Sequence, residues 1–153
     1  MSEPVGYAPE EILTGEPTRS ARLKWVVVVD ETLPAGRIVN AAVCVAAATG
    51  AAVAGLLGPD AKDASGHVHP GLPWAGCTIL AAPPSKLAEI RARADAAEGV
   101  FVADMPDLAQ ATRVYDEYLE QVSASAELGY YAVSVIGPRK TVDGIVRKLS
   151  LLP

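Results

Sequence analysis

Two hydrophobic periodicities alternate along the chain, and the points where one gives way to the other mark its elements. Between Lys24 and Asp30 a tryptophan and four valines form an unbroken apolar run, which predicts a strand covered on both faces at the centre of a sheet. Leu33-Pro34-Ala35-Gly36 turns the chain into a helix over Arg37 to Ala48, apolar on nearly every side, with Gly50 as its end. Ala51 to Leu57 reads as a short strand or a continuation of that layer, and Gly58 to Pro73 as a polar loop. A second strand over Trp74 to Ala82 is followed by Pro83-Pro84-Ser85, which starts a helix through Lys86 to Glu98. Val100 to Asp104 is the third strand. Beyond Pro106, Leu108, Ala111, Val114, Tyr115, Tyr118 and Val122 recur at the spacing of one long helix. Tyr130 to Ile136 is the fourth strand, closed by Gly137-Pro138, and Thr141 to Leu149 forms a last helix with Asp143 and Arg147 spaced to pair.

Strands alternating with helices predict an α/β fold, a three-layer sandwich whose mixed sheet has about four strands and helices on both faces. Residues 1–21 lack periodicity and read as a flexible tail, or as an extended segment laid on the domain, so residues 22–153 form the one folded domain. Half of the 153 residues are hydrophobic but one alone is Phe, so the core must be built from Ala, Val, Leu and Ile. Cys44 and Cys77, both in apolar patterns, read as small core residues.

Charge and segment length narrow the class further. A formal charge of −5 argues against nonspecific grip on nucleic acid, where cations supply most of the affinity. The apolar helical stretch Ile38 to Ala48 falls short of the roughly 20 residues that span a bilayer, so no membrane partner is expected. The first twenty residues carry acids and prolines where a secretion signal would have a basic start and an apolar run, which places the chain in the cytoplasm. Its alanine content hints at a GC-rich bacterial genome.

Chemistry-bearing residues are few. Asn40 is the one strongly polar side chain in its apolar helix; it could face a ligand pocket or be a core amide bonded to a neighbouring backbone. Asp104 ends a strand just before a helix, where ligands gather in open α/β sheets, and it is equally suited to capping that helix. His67 and His69, with Asp60 and Asp63, sit in the polar loop and could face a substrate from a lid or simply be solvated there; their spacing fits no strong metal motif. No metal or cofactor is expected.

Lys24 with the valine strand, the Leu33-Pro34-Ala35-Gly36 turn with its Ala-rich helix, Asp104 to Gln110, and Val135 to Asp143 leading into Leu149-Ser150-Leu151-Leu152 together resemble the type II peptidyl-tRNA hydrolase superfamily over about residues 23–152. The chain is most similar to an uncharacterised bacterial branch of it, domain of unknown function two-thousand, which has an asparagine where Asn40 stands. The resemblance implies a mixed four-stranded sheet with helices on both faces, and a homodimer. The hydrolase residues transfer poorly. The Gly-Lys-Gly-Lys turn of the family falls on Gly36, Arg37, Ile38 and Val39; its helical glutamine and histidine fall on Val43 and Ala46; its strand threonine falls on Ala132. Asp104, Gln110 and Arg37 are what the resemblance leaves.

Three readings follow. The first is a small-molecule pocket between the first helix and the strand ends, with Asp104 as base or orienting carboxylate, Asn40 as hydrogen-bond donor, and Arg37, His67, His69 and Gln110 on the substrate. The second is a divergent peptidyl- or aminoacyl-tRNA hydrolase, which needs a basic groove of Arg37, Arg139 and Lys140 beside Asp104. The third is a non-catalytic dimeric binding or regulatory module whose old active site is filled with apolar side chains.

Overall fold

The structure, a computed structural model, describes residues 3–153. After two short 3-10 turns (Pro9–Glu11 and Thr18–Ser20) the elements run β1 (Leu23–Asp30), α1 (Ala35–Ala52), β2 (Ala61–Lys62), β3 (Val68–His69), β4 (Thr78–Ala82), α2 (Pro84–Ala96), β5 (Phe101–Pro106), α3 (Leu108–Ala111), α4 (Tyr115–Ser123), β6 (Tyr130–Pro138), α5 (Arg139–Ile145) and β7 (Ser150–Leu151).

The valine strand takes the central place that its composition predicts. Sheet order is β5-β6-β1-β4-β7, with β1 parallel to β4 and antiparallel to β6. Residues of β1 alternate between two cores, as the two-residue strand period requires. Leu23, Trp25, Val27 and Val29 pack under α1 with Ile38, Ala41 and Val45. Val26 and Val28 pack under α2 and α5 with Leu87, Ile90, Val142 and Ile145. The α1 core is also pinned by a buried polar thread. Thr49 Oγ1 donates to the Val45 carbonyl (2.7 Å), so its one hydrogen is spent. Ser134 Oγ therefore donates to Thr49 (2.7 Å) and accepts from Trp25 Nε1 (2.8 Å), leaving each group in the thread satisfied.

The main sheet has five strands where about four were expected. The additional one is β7, whose two residues pair antiparallel with Leu80 and Ala81 and are too short to carry a periodic signal. A separate two-stranded hairpin, β2–β3, occupies the loop from Gly58 to Pro73. Strand β4 begins at Thr78 rather than Trp74, whose indole N–H instead donates to the Gly55 carbonyl (2.8 Å). Helix α1 runs through Gly50 to Ala52. The residues after it form single bridges, Ala54 with Gly6 and Leu57 with Pro73, rather than a strand. The single long helix expected beyond Pro106 is two, because Thr112 turns extended and its hydroxyl bonds back to the Leu108 carbonyl (3.1 Å). Helix α5 starts two residues early at Arg139, and Asp143 pairs with Lys24 (2.5 Å), not with Arg147. Cys44 and Cys77 are exposed, not core.

The amino-terminal segment, within the described residues, lies on the domain rather than forming a tail. Tyr7 is buried in the α1 core, its N–H donates to the Ala54 carbonyl (2.8 Å), and its hydroxyl donates to the Leu23 carbonyl (3.2 Å). Gly55 accommodates it: its φ of +73° suits glycine, and an added Cβ would sit 2.9 Å from the Tyr7 carbonyl oxygen. Arg22 clamps Glu11 (2.6 Å), and Arg139 donates to the carbonyls of Ala21 (2.7 Å) and Thr18 (2.9 Å).

Candidate functional site

Helix α1 begins where Asp30, buried at the end of β1, accepts bonds from the N–H (2.9 Å) and hydroxyl (2.6 Å) of Thr32 and folds the chain back over the sheet. Ile38, Ala41, Val45 and Thr49 face the sheet. Asn40, Cys44, Ala47 and Ala48 then fall along one flank, turned towards β5, the edge strand. Between that flank, β5 and α4 lies an open cavity of about 620 Å³, walled by Asn40, Cys44, Asp104, Met105, Tyr115 and Tyr118, with Arg113 at its margin.

Each wall has a local cause. Short α3 is tied to α1 by Gln110, whose Nε2 donates to the Arg37 carbonyl (3.0 Å) and to Asn40 Oδ1 (3.2 Å). The break at Thr112 lets α4 start on a new axis and bring Tyr115 and Tyr118 to the cavity, with ring centroids 5.5 Å apart and tilted by 58°. Asp104 Oδ2 is held by Arg91 Nε (3.2 Å) from α2. Burial raises the Tyr118 hydroxyl above its ordinary range, with Tyr115 and the Asp104 charge adding to it, so the phenol stays protonated and available as a donor. Gln110 Oε1 is buried and has no donor among the described residues.

The structure thus brings Asn40 and Asp104 to one cavity and links Gln110 and Arg37 to it through hydrogen bonds. Asn40 is exposed, not a buried core amide. Asp104 lies inside β5 and caps no helix; the residue preceding α3 is Asp107. His67 and His69 take no part in the cavity. They sit on the β2–β3 hairpin and converge on Asp63, at 3.4 and 3.2 Å. The hairpin holds the Asp63 carboxyl below its usual range, first through the His67 backbone N–H and then through the His69 ring. Arg139 is likewise remote. Asp104 pairs with Val133 on β6; the last residue of that strand, Pro138, lies about 17 Å further on at ~3.3 Å per residue, and Arg139 follows it. Among the described residues no basic groove therefore assembles from Arg37, Arg139 and Lys140 beside Asp104.

Tyr115, Tyr118, Arg113 and Cys44 carry no functional signal in the sequence, where Cys44 reads as a core residue. The tyrosines read as one apolar helical stripe, and nothing local signals that the helix breaks before them.

Residues 23–153 match the family described as protein of unknown function DUF2000. No curated protein matches the chain. Among solved structures it is similar to a protein of unknown function from Agrobacterium tumefaciens strain C58. That likeness has a TM-score of 0.70 at 19% identity, covering 85% of this chain and 97% of the other, and it concerns the fold alone.

Proposed function

Because the chain belongs to the DUF2000 family, which carries no assigned activity, we propose from its geometry that it binds a small polar molecule in the cavity between α1, β5 and α4. The observation that carries this reading is the meeting of Asn40 from α1, Asp104 from β5 and two tyrosines from α4 at one concave site, with Arg91 of α2 holding Asp104 from outside it. Such a set suits a ligand bearing an amide or carboxylate together with hydroxyl or amine groups. Asn40 presents an amide, Tyr118 a protonated phenol, and Arg113 a cation with no ion-pair partner among the described residues.

Binding is favoured over catalysis. Asp104 is engaged by Arg91, and the histidines that could serve as bases are on the hairpin. A peptidyl-tRNA hydrolase II-like ancestry remains part of the proposal. The positions that would carry its chemistry are apolar here, with Val39 and Val43 exposed on α1 and Ala132 buried under it. The remoteness of Arg139 from Asp104 disfavours the tRNA reading. The cytoplasmic, bacterial and homodimeric expectations are carried forward on the same footing, the last to be read from sedimentation as a mass twice that of the chain.

The test is titration with a set of amino-acid amides followed by amide chemical shifts. Shifts should cluster on Asn40, Met105 and Tyr115. Asn40→Ala should weaken binding at least tenfold while leaving the remaining spectrum unchanged. Shifts that map elsewhere, or an Asn40→Ala variant that binds as well, would overturn the reading.

A further inference from the structure

A second site lies at the opposite end of β1, where the amino-terminal segment crosses the sheet. A polar cavity of about 330 Å³ there is lined by Arg19, Lys24, Trp25, Gly76, Cys77 and Arg139. Lys24 is neutralised by Asp143 (2.5 Å). Arg139 is held in place by two backbone carbonyls, and neither it nor Arg19 has a carboxylate partner among the described residues. In a chain of formal charge −5, two guanidinium groups without counter-ions on one concave surface are an electrostatic fit for an oxyanion.

Trp25 and Cys77 also line a second cavity, of about 360 Å³, between α1 and the strands β1 and β4. Its walls are wholly apolar: Trp25, Val27, Ile38, Ala42, Ile79 and Leu152 contribute, and Val39 and Val43 stand exposed at its rim. The Trp25 N–H is spent on Ser134, so its ring offers this groove hydrocarbon-like surface alone. Cys77, exposed beside Trp25, belongs to the wall that the two cavities share.

We propose that the two cavities form one site for an anionic amphiphile, a carboxylate on a linear hydrocarbon chain, with its head between Arg19 and Arg139 and its tail along the groove beside α1. Neither cavity alone selects this class. The cations would accept any small oxyanion, and the groove any apolar segment; their common wall at Trp25 and Cys77 requires head and tail on one molecule.

The full chain is titrated with decanoate, decanol and acetate at matched ionic strength, following the Arg139 Nε–H and the Leu152 amide by NMR, with sedimentation of the same samples. Decanoate should bind saturably and move both signals. Acetate and decanol should each bind at least tenfold more weakly. Arg19→Gln, which removes an exposed side chain with no hydrogen bond in the structure, should reduce decanoate to the affinity of decanol. Acetate binding as well as decanoate would reduce the site to an anion cavity, and decanol binding as well would reduce it to an apolar surface. Absence of decanoate binding in a chain that sediments as a dimer, and as a monomer after Val43→Glu, would show a second copy in the groove. Each of these three results overturns the proposal.

Discussion

The two faces of the sheet are covered by helices of opposite character. Helix α2 buries Leu87, Ile90 and Ala94 and shows the solvent Lys86, Glu89, Arg93 and Asp95, so its layer ends in charge. Helix α1 buries Ile38, Ala41, Val45 and Thr49, but its outer surface is Val39, Asn40, Val43, Cys44 and Ala47, with Arg37 its one ionisable group besides Cys44. Eighteen residues long with a mean hydropathy of 1.4, α1 is, among the described residues, the one helix long and apolar enough to cross a membrane. Here it is docked on the sheet and threaded to it through Thr49, Ser134 and Trp25. The lesson is that the α2 layer is finished by its own sequence, whereas the α1 layer leaves uncharged surface that hollows into a cavity on each flank. Both proposed sites border α1 for that reason.

This contrast can be broken at its strongest point first. Leu87 is fully buried in the α2 core, and Leu87→Ala should cost about 2–5 kcal/mol by chemical denaturation, the range for a large apolar side chain lost from a closed core. A cost under 1 kcal/mol would mean that the α2 layer is as loosely covered as the outer side of α1. Ser134→Ala probes the other face. It leaves Trp25 Nε1 buried without an acceptor while Thr49 keeps its bond to Val45, and roughly 1–3 kcal/mol should be lost. Amide exchange should then rise along α1 before it rises along α2.

The smallest effect is expected from acid. The segment packed beside the carboxyl end of α1 is fastened by Glu11, whose carboxyl is lowered from 4.5 to about 2, first by its hydrogen bond from Arg22 and next by the Ala8 N–H. Since the folded value lies below the ordinary one, this fastening is whole above about pH 4.5 and is lost as pH falls towards 2. Exchange at the Tyr7 amide should therefore quicken over that window, and in Glu11→Gln it should already be quick at neutral pH. The pair is exposed, so global unfolding should move little. A Tyr7 amide that exchanges at one rate across the window would show that burial of the ring holds the segment unaided.

Much of the fold was legible because one residue type signalled it. The valines of β1 predict a strand covered twice, and they alternate between two cores as expected. Asn40 and Asp104 were also legible as chemistry, each a polar residue where the pattern called for an apolar one or an element end, and they do share a cavity. Their surroundings were not legible in the same way. For Asn40 the apolar neighbours leave a pocket residue and a buried core amide both open, because local pattern cannot tell an apolar surface that meets a partner from one that does not; the side chain is exposed. For Asp104 the sequence leaves a ligand-facing carboxylate and a helix cap equally open; its partner, Arg91, lies on a helix far enough along the chain to give no local signal. Histidines in a glycine-rich loop suit either a lid over a substrate or a plain solvated loop, and the hairpin turns both rings onto Asp63.

By itself the sequence determined the order of the main strands β1, β4, β5 and β6, the helices between them and the central place of β1, since periodicity and β-branching act over a few residues at a time. Only the tertiary structure decided which residues meet across the chain: Trp25 with Ser134, Lys24 with Asp143, Arg139 with the carbonyls of Thr18 and Ala21, Leu151 with Leu80. These pairs are separated by dozens to more than a hundred residues, and each follows from the path and register of the whole sheet. A cavity is likewise a property of surfaces that fail to meet, so the two sites on the flanks of α1 exist only once every other element is in place.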